Sequence, residues 1–156
     1  MTIRSHRRRA NAVIAALGCL ALSAATLSVA EAGDTKFDPT KTVVLPAEQV
    51  VFEAINPAIN MGEAWGNRGA GAHGTFGQFP ADFITPFHTH SGAYHGIVLQ
   101  GVMTNPFEGE KSPPRMAAGS YWYVPANAIH ATACVSATPC AFYFHAGQAF
   151  DFKPVK

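Results

Sequence analysis

From residue 43 to the C-terminus, apolar residues come in short runs, each closed by Gly, Pro, Asn, Asp or Ser. None of these runs repeats at the 3.6-residue period of an amphipathic helix, and the spacing is that of strands in a sandwich or barrel. Alanine is frequent, but it sits among glycines and prolines rather than in helical register. The runs predict a first strand over 43–45, a short element over 50–54 and an edge strand over 61–65. Further strands are predicted over 74–79, 83–89, 94–104, 120–124, 130–135 and 141–146, of which 94–104 is the clearest. Residues 33–42 read as a polar extended arm and 105–114 as a polar loop. About eight short strands without a long helix suit an all-β jelly roll. The glycine-rich stretch 66–71 has no helix after it, so it does not read as a phosphate cradle.

The first thirty or so residues follow a different logic. Arg4, Arg7, Arg8 and Arg9 precede an apolar run from Ala12 to Ala30, and Ala30-Glu31-Ala32 supplies a small-x-small cleavage pattern. This predicts a signal peptide over 1–32 and a mature protein that is periplasmic or secreted. An uncleaved anchor is the competing reading. Cys19 is a poor lipidation site because Leu17 stands one position late, and the arginine run leaves twin-arginine export open beside the general route.

Beyond the leader, seven Lys and Arg face nine Asp and Glu, a net charge of 7 − 9 = −2 with no basic cluster. Nucleic acid and anionic membrane surfaces are therefore excluded as partners by charge. Cys134 and Cys140 remain, an even count in an exported chain, and the Val-Ser-Ala-Thr-Pro stretch between them reads as a hairpin loop. A disulfide between the two is expected.

Six histidines lie beyond the leader: His73, His88, His90, His95, His130 and His145. His88 and His90 are two apart in an extended segment, so both side chains point to one face. His95 follows after the turn-prone Ser91-Gly92, where it faces that pair across a tight bend. His130 opens another strand after the turn Pro125–Ile129. Four imidazoles on strands that a barrel brings together form a candidate site for one divalent metal ion, on His88, His90, His95 and His130.

These spacings resemble the two-motif signature of the cupin superfamily. The first cupin motif is roughly G-x5-H-x-H-x3-4-E-x6-G. Asp82 stands at its first glycine, His88 and His90 at its histidines, and Gly101 near its last glycine, one residue early if His95 takes the glutamate's place. The second is roughly G-x5-P-x-G-x2-H-x3-N. Gly119, Pro125 and His130 match it, Asn127 replaces its middle glycine and Cys134 its asparagine. The resemblance covers residues 74 to 147 and implies a single-domain cupin jelly roll over 43–156. It is similar to small bacterial cupins of unassigned function with four-histidine metal sites, and a homodimer through an edge strand is carried over from it.

Four neutral imidazoles would leave the ion's 2+ charge uncompensated, which favours an anionic or chelating ligand. Imidazole donors suit Zn, Cu, Fe and Ni. Manganese or iron is the expected ion, because two adjacent open positions are what an oxygenase needs; manganese is the easier of the two to keep divalent in an oxidising compartment. Tyr94, Gln100, Tyr123 and His145 are the candidates for holding a ligand or lining the pocket. Glu108 and Glu110 read as solvated loop charges, the remaining aromatics as core, and His73 as structural or rim. The expected function is a metal-dependent oxidoreductase of dioxygenase type on a small organic substrate. A non-catalytic periplasmic ligand- or metal-binding cupin is the alternative, and a structural protein with a vestigial site is the third.

Overall fold

A computed structural model describes Asp38 and residues 40–156; the expected leader lies outside the described residues. Among the described residues, twelve strands follow one 3-10 turn, Ala47–Gln49. They are β1 Glu53–Asn56, β2 Ile59–Gly66, β3 His73–Phe79, β4 Phe83–Ile84, β5 His88–Thr89 and β6 Tyr94–Gln100. Then come β7 Val102–Thr104, β8 Met116–Ala117, β9 Tyr121–Val124, β10 Ala133–Cys134, β11 Cys140–Ala146 and β12 Lys153–Pro154. A six-stranded sheet runs β1-β2-β3-β11-β6-β9, a four-stranded sheet β4-β10-β7-β8, and β12 pairs with β5. All pairings are antiparallel. The fold of the described residues is all-β.

Period-two patterning builds the large sheet. On β11, Phe142, Phe144 and Ala146 are buried while Tyr143 and His145 are half-buried. On β6, Tyr94, Gly96 and Val98 are buried while His95, Ile97 and Leu99 are exposed. Such alternation is what one packed face and one solvated face require. The inner side chains, with Met103 and Val124, make one continuous core. Gly96 is needed where it stands: a Cβ there would lie 2.1 Å from the Trp122 ring that packs over it.

The strand expected over 94–104 is two strands. Gly101 (φ +80°) breaks it, and the chain crosses from the large sheet to the small one. The expected strand over 43–45 does not form; Val43 and Val44 are exposed and outside any sheet. The expected edge strand over 61–65 lies inside the sheet, between β1 and β3. β8 and β12 were not legible as strands. Pro86 interrupts the run 83–89, leaving β4 and β5.

Four tight bends hold the frame, at Asp82 (φ 54°), Gly101 (φ 80°), Gly119 (φ 88°) and Asn127 (φ 60°). All four occupy left-handed backbone, which glycine adopts freely and Asn or Asp tolerates. They are the four positions that the cupin motifs reserve for glycine, so Asp82 and Asn127 preserve the turns. At the far end of β11, Cys134 and Cys140 form the expected disulfide, with Cα atoms 5.7 Å apart.

Candidate metal centre

Three histidines converge on one point. His88 and His130 sit opposite each other in an antiparallel bridge: the His88 N–H donates to the His130 carbonyl at 2.8 Å, and the His130 N–H to the His88 carbonyl at 3.0 Å. Residues paired in this way project side chains on the same side, and the two ring centroids lie 4.3 Å apart. His90, two residues along from His88, brings its ring 4.8 Å from His88 and 5.3 Å from His130. One ring nitrogen from each histidine lies within 4.8 Å of the others. All three residues are buried.

The other ring nitrogens decide what these three present. His88 Nδ1–H donates to the Pro86 carbonyl at 2.8 Å and His130 Nδ1–H to the Ala128 carbonyl at 3.0 Å. His90 Nδ1–H donates to the Asp151 carbonyl. A carbonyl only accepts, so each Nδ1 carries the proton and each Nε2 keeps its lone pair as an acceptor. This is the outer support that metal-binding histidines characteristically have. Burial pushes the His88 and His90 imidazoles down to about 4, and lowers His130 as well. At neutral pH the three are uncharged donors, as ligation requires.

Tyr94 completes the cluster. Its hydroxyl lies 3.0 Å from His130 Nε2 and donates to it, and burial raises the phenol to about 12. Three residues separate Tyr94 from His90 and six separate it from Gly101, so it fills the glutamate position of the shorter first motif with the last glycine in register.

A model of the family DUF4437, a domain of unknown function, matches residues 44–156. The chain belongs to this cupin-like family. Its fold is shared with the polyketide cyclase RemF from Streptomyces resistomycificus, at TM-score 0.64 and 15% identity over 74% of this chain and 87% of that one. An RmlC-like cupin from Shewanella frigidimarina aligns at TM-score 0.56 and 16% identity, over 69% and 92%. The DMSP lyase DddQ from Ruegeria pomeroyi aligns at TM-score 0.52 and 20% identity, over 68% and 55%. At these identities the likeness is one of fold. No curated protein matches the sequence.

In this cupin the expected fourth histidine is elsewhere. His95 is exposed on the outer face of the large sheet, its Nδ1 3.1 Å from the Tyr121 hydroxyl and its ring stacked on His145 at 5.4 Å. The reason is alternation: Tyr94 and His95 are adjacent on one strand, so only one faces inward. His145 and Tyr123 share that outer face, paired in register with His95 from either side. Neither reaches the cluster. Gln100 lies at the opposite end of β6, where its amide donates to the Pro139 carbonyl at 3.2 Å. Of the four residues expected around the site, the structure brings in Tyr94 alone. His73 is fully buried, its Nδ1 2.8 Å from the Thr75 hydroxyl, and burial pushes it down to about 4.

The sequence reading missed the C-terminal segment. β12 pairs Lys153 with Thr89 and Pro154 with His88, closing the site from one side. Phe150 stacks on the His90 ring at 4.0 Å and Phe152 on the His88 ring at 4.3 Å. Between them, the Asp151 carboxylate accepts from the Ser91 N–H at 2.7 Å and the Ser91 hydroxyl at 2.6 Å, and pairs with Lys153 at 3.1 Å. Those donors hold the Asp151 carboxyl well below the usual range. The available signal was Phe150-x-Phe152, a period-two pair in a short tail. Beside the histidines opens a cavity of about 390 Å3. His88, His90 and Tyr94 form part of its wall, and aromatic and aliphatic side chains from both sheets form most of the rest.

Proposed function

We propose that this cupin is a metal-dependent enzyme that acts on a small organic substrate outside the cytoplasm. One divalent first-row ion is held by Nε2 of His88, His90 and His130. The observation that carries this reading is the triple anchoring: each Nδ1–H is committed to a backbone carbonyl, and three neutral lone pairs converge beside a largely apolar cavity. Three neutral donors fit a first-row dication. When bound, such an ion supplies Lewis-acid polarisation and open positions for an oxygen ligand, and manganese or iron suits the dioxygenase-type reaction that we favour.

The protein's own groups have definable parts. The lone pair that accepts the Tyr94 proton is the one His130 would give to the ion, so loading the site frees the Tyr94 hydroxyl. That phenol stays protonated at neutral pH and holds its proton at Oη beside the reacting centre, placed to donate to a substrate oxygen. Phe150 and Phe152 stack on two of the imidazoles and brace them from that side. A non-catalytic binding cupin would share the metal centre and lack turnover.

Elemental analysis of the protein, purified without added metal or an affinity tag, tests the reading. About one first-row ion per chain is expected, with an intact mass starting at Gly33. No ion, and none taken up on titration, would remove the metal centre. Substrate-dependent oxygen uptake that disappears in Tyr94→Phe would separate an enzyme from a binding protein.

A further inference from the structure

Arg68 gives the cavity a second recognition point. It stands in the loop between β2 and β3, which is pinned at both faces of its backbone. The Arg68 N–H donates to the Glu63 carboxylate at 3.0 Å, and the Arg68 carbonyl accepts from the Phe150 N–H at 2.8 Å. The same segment that stacks on His90 therefore fixes Arg68. Its side chain lines the cavity, and every other lining side chain is uncharged. Its Nε is buried without a hydrogen-bond partner, and among the described residues no carboxylate pairs with the guanidinium. A buried cationic N–H left unpaired costs free energy that an entering anion offsets.

The same cavity is lined by Phe79, Phe83, Phe142, Phe144 and Trp122. A neutral hydrocarbon would satisfy these rings and leave Arg68 unpaired. A sugar or other polyol could meet Thr85, Thr132, Asn56 and the Tyr94 hydroxyl, but would set its remaining hydroxyls against the phenyl and aliphatic wall. The guanidinium fork matches a carboxylate with two parallel hydrogen bonds. We infer that the cavity takes a small aryl or alkyl carboxylic acid, its carboxylate on Arg68 and its apolar body against the phenyl wall. The volume of about 390 Å3 is at the small end of ligand sites. This deepens the metal-enzyme reading and rests on it only for which end of the acid reacts; the carboxylate contact is independent of any metal.

Calorimetric titration with benzoate, phenylacetate and 3-phenylpropanoate tests the assignment, against the matching alcohols. The titrations are run on protein as purified and on chelator-treated protein, with metal content measured in the same samples. At least one acid is expected to bind both forms about tenfold or more tighter than its alcohol. Arg68→Gln should lose that preference by about 10- to 100-fold, the range for a hydrogen bond to a charged group. Arg68→Lys should retain part of it. Equal binding of acid and alcohol, an Arg68→Gln variant that folds and keeps the preference, or no binding by any acid would each overturn the inference. Should Arg68→Gln fail to fold, the acid-to-alcohol ratio in chelator-treated native protein decides. Arg68-dependent binding in a protein that takes up no metal would uphold this inference and sink the metal centre. Metal uptake with no Arg68 dependence would do the reverse.

Discussion

The two faces of the large sheet meet histidines in very different states. Against the inner face, through Tyr94, pack His88, His90 and His130, which lie on β5 and the segments outside that sheet; all three are buried, each tied through Nδ1 to a backbone carbonyl, with their Nε2 atoms directed at one point. On the outer face, His95 and His145 stack on each other beside Tyr121 and Tyr123, where His95 meets a hydroxyl and neither ring meets a carbonyl. A cluster of imidazoles is thus not in itself a ligand set. What distinguishes the inner group is a fixed tautomer and burial that keeps it neutral. The outer pair lacks that anchoring to carbonyls, although its members stand in register on adjacent strands.

The sharpest way to break this comparison is to delete a ring from each face. His88→Ala or His130→Ala should abolish metal retention, while His95→Ala and His73→Ala keep about one ion per chain by elemental analysis. Equal loss in all four would erase the distinction between the faces.

Removal of the C-terminal clamp is expected to matter next. Phe150→Ala takes away the ring stacked on His90 and packed against Phe144, and should cost about 2–4 kcal/mol in denaturant melts. Weaker metal retention should accompany it. A smaller effect is expected at the opposite end of β11, where the disulfide closes a short loop. Replacing Cys134 and Cys140 together by Ala should cost about 2 kcal/mol and leave metal stoichiometry unchanged.

A pH slope is expected as well. His73, His88 and His90 fall from 6.5 in the open chain to about 4 when folded, chiefly by burial. Between these values the unfolded chain binds protons that the folded chain does not, so stability rises with pH. Chelator-treated protein should hold its full Tm above pH 6.5 and lose it progressively toward pH 4. His73→Gln should make that slope shallower.

Much of this was legible from the order of residues. Short apolar runs between turn residues specified an all-β jelly roll, since no helical period was present to compete. The spacing H-x-H followed by G-x5-P-x4-H located three of the converging histidines. The closeness of Cys134 and Cys140 across a hairpin loop was also readable. The fourth position was not, because it depends on the phase of one strand. Tyr94 and His95 are neighbours, chemistry favoured the histidine, and only the distance to Gly101 hinted at the tyrosine. A shift of one residue moves a side chain to the other side of the sheet, so a reading of composition and spacing alone placed His95 inside.

The sequence by itself determined the fold class and the residues able to bind a metal, because period-two burial and ligand spacing are local properties of the chain. The tertiary structure alone decided which residues share a space. It carried Phe150 and Phe152 back across some sixty residues onto His90 and His88, turned the His95 ring outward, and fixed Arg68 against the same cavity. Those contacts join segments far apart in the chain, and what brings them together is closure of the two sheets on one core, which no local pattern encodes.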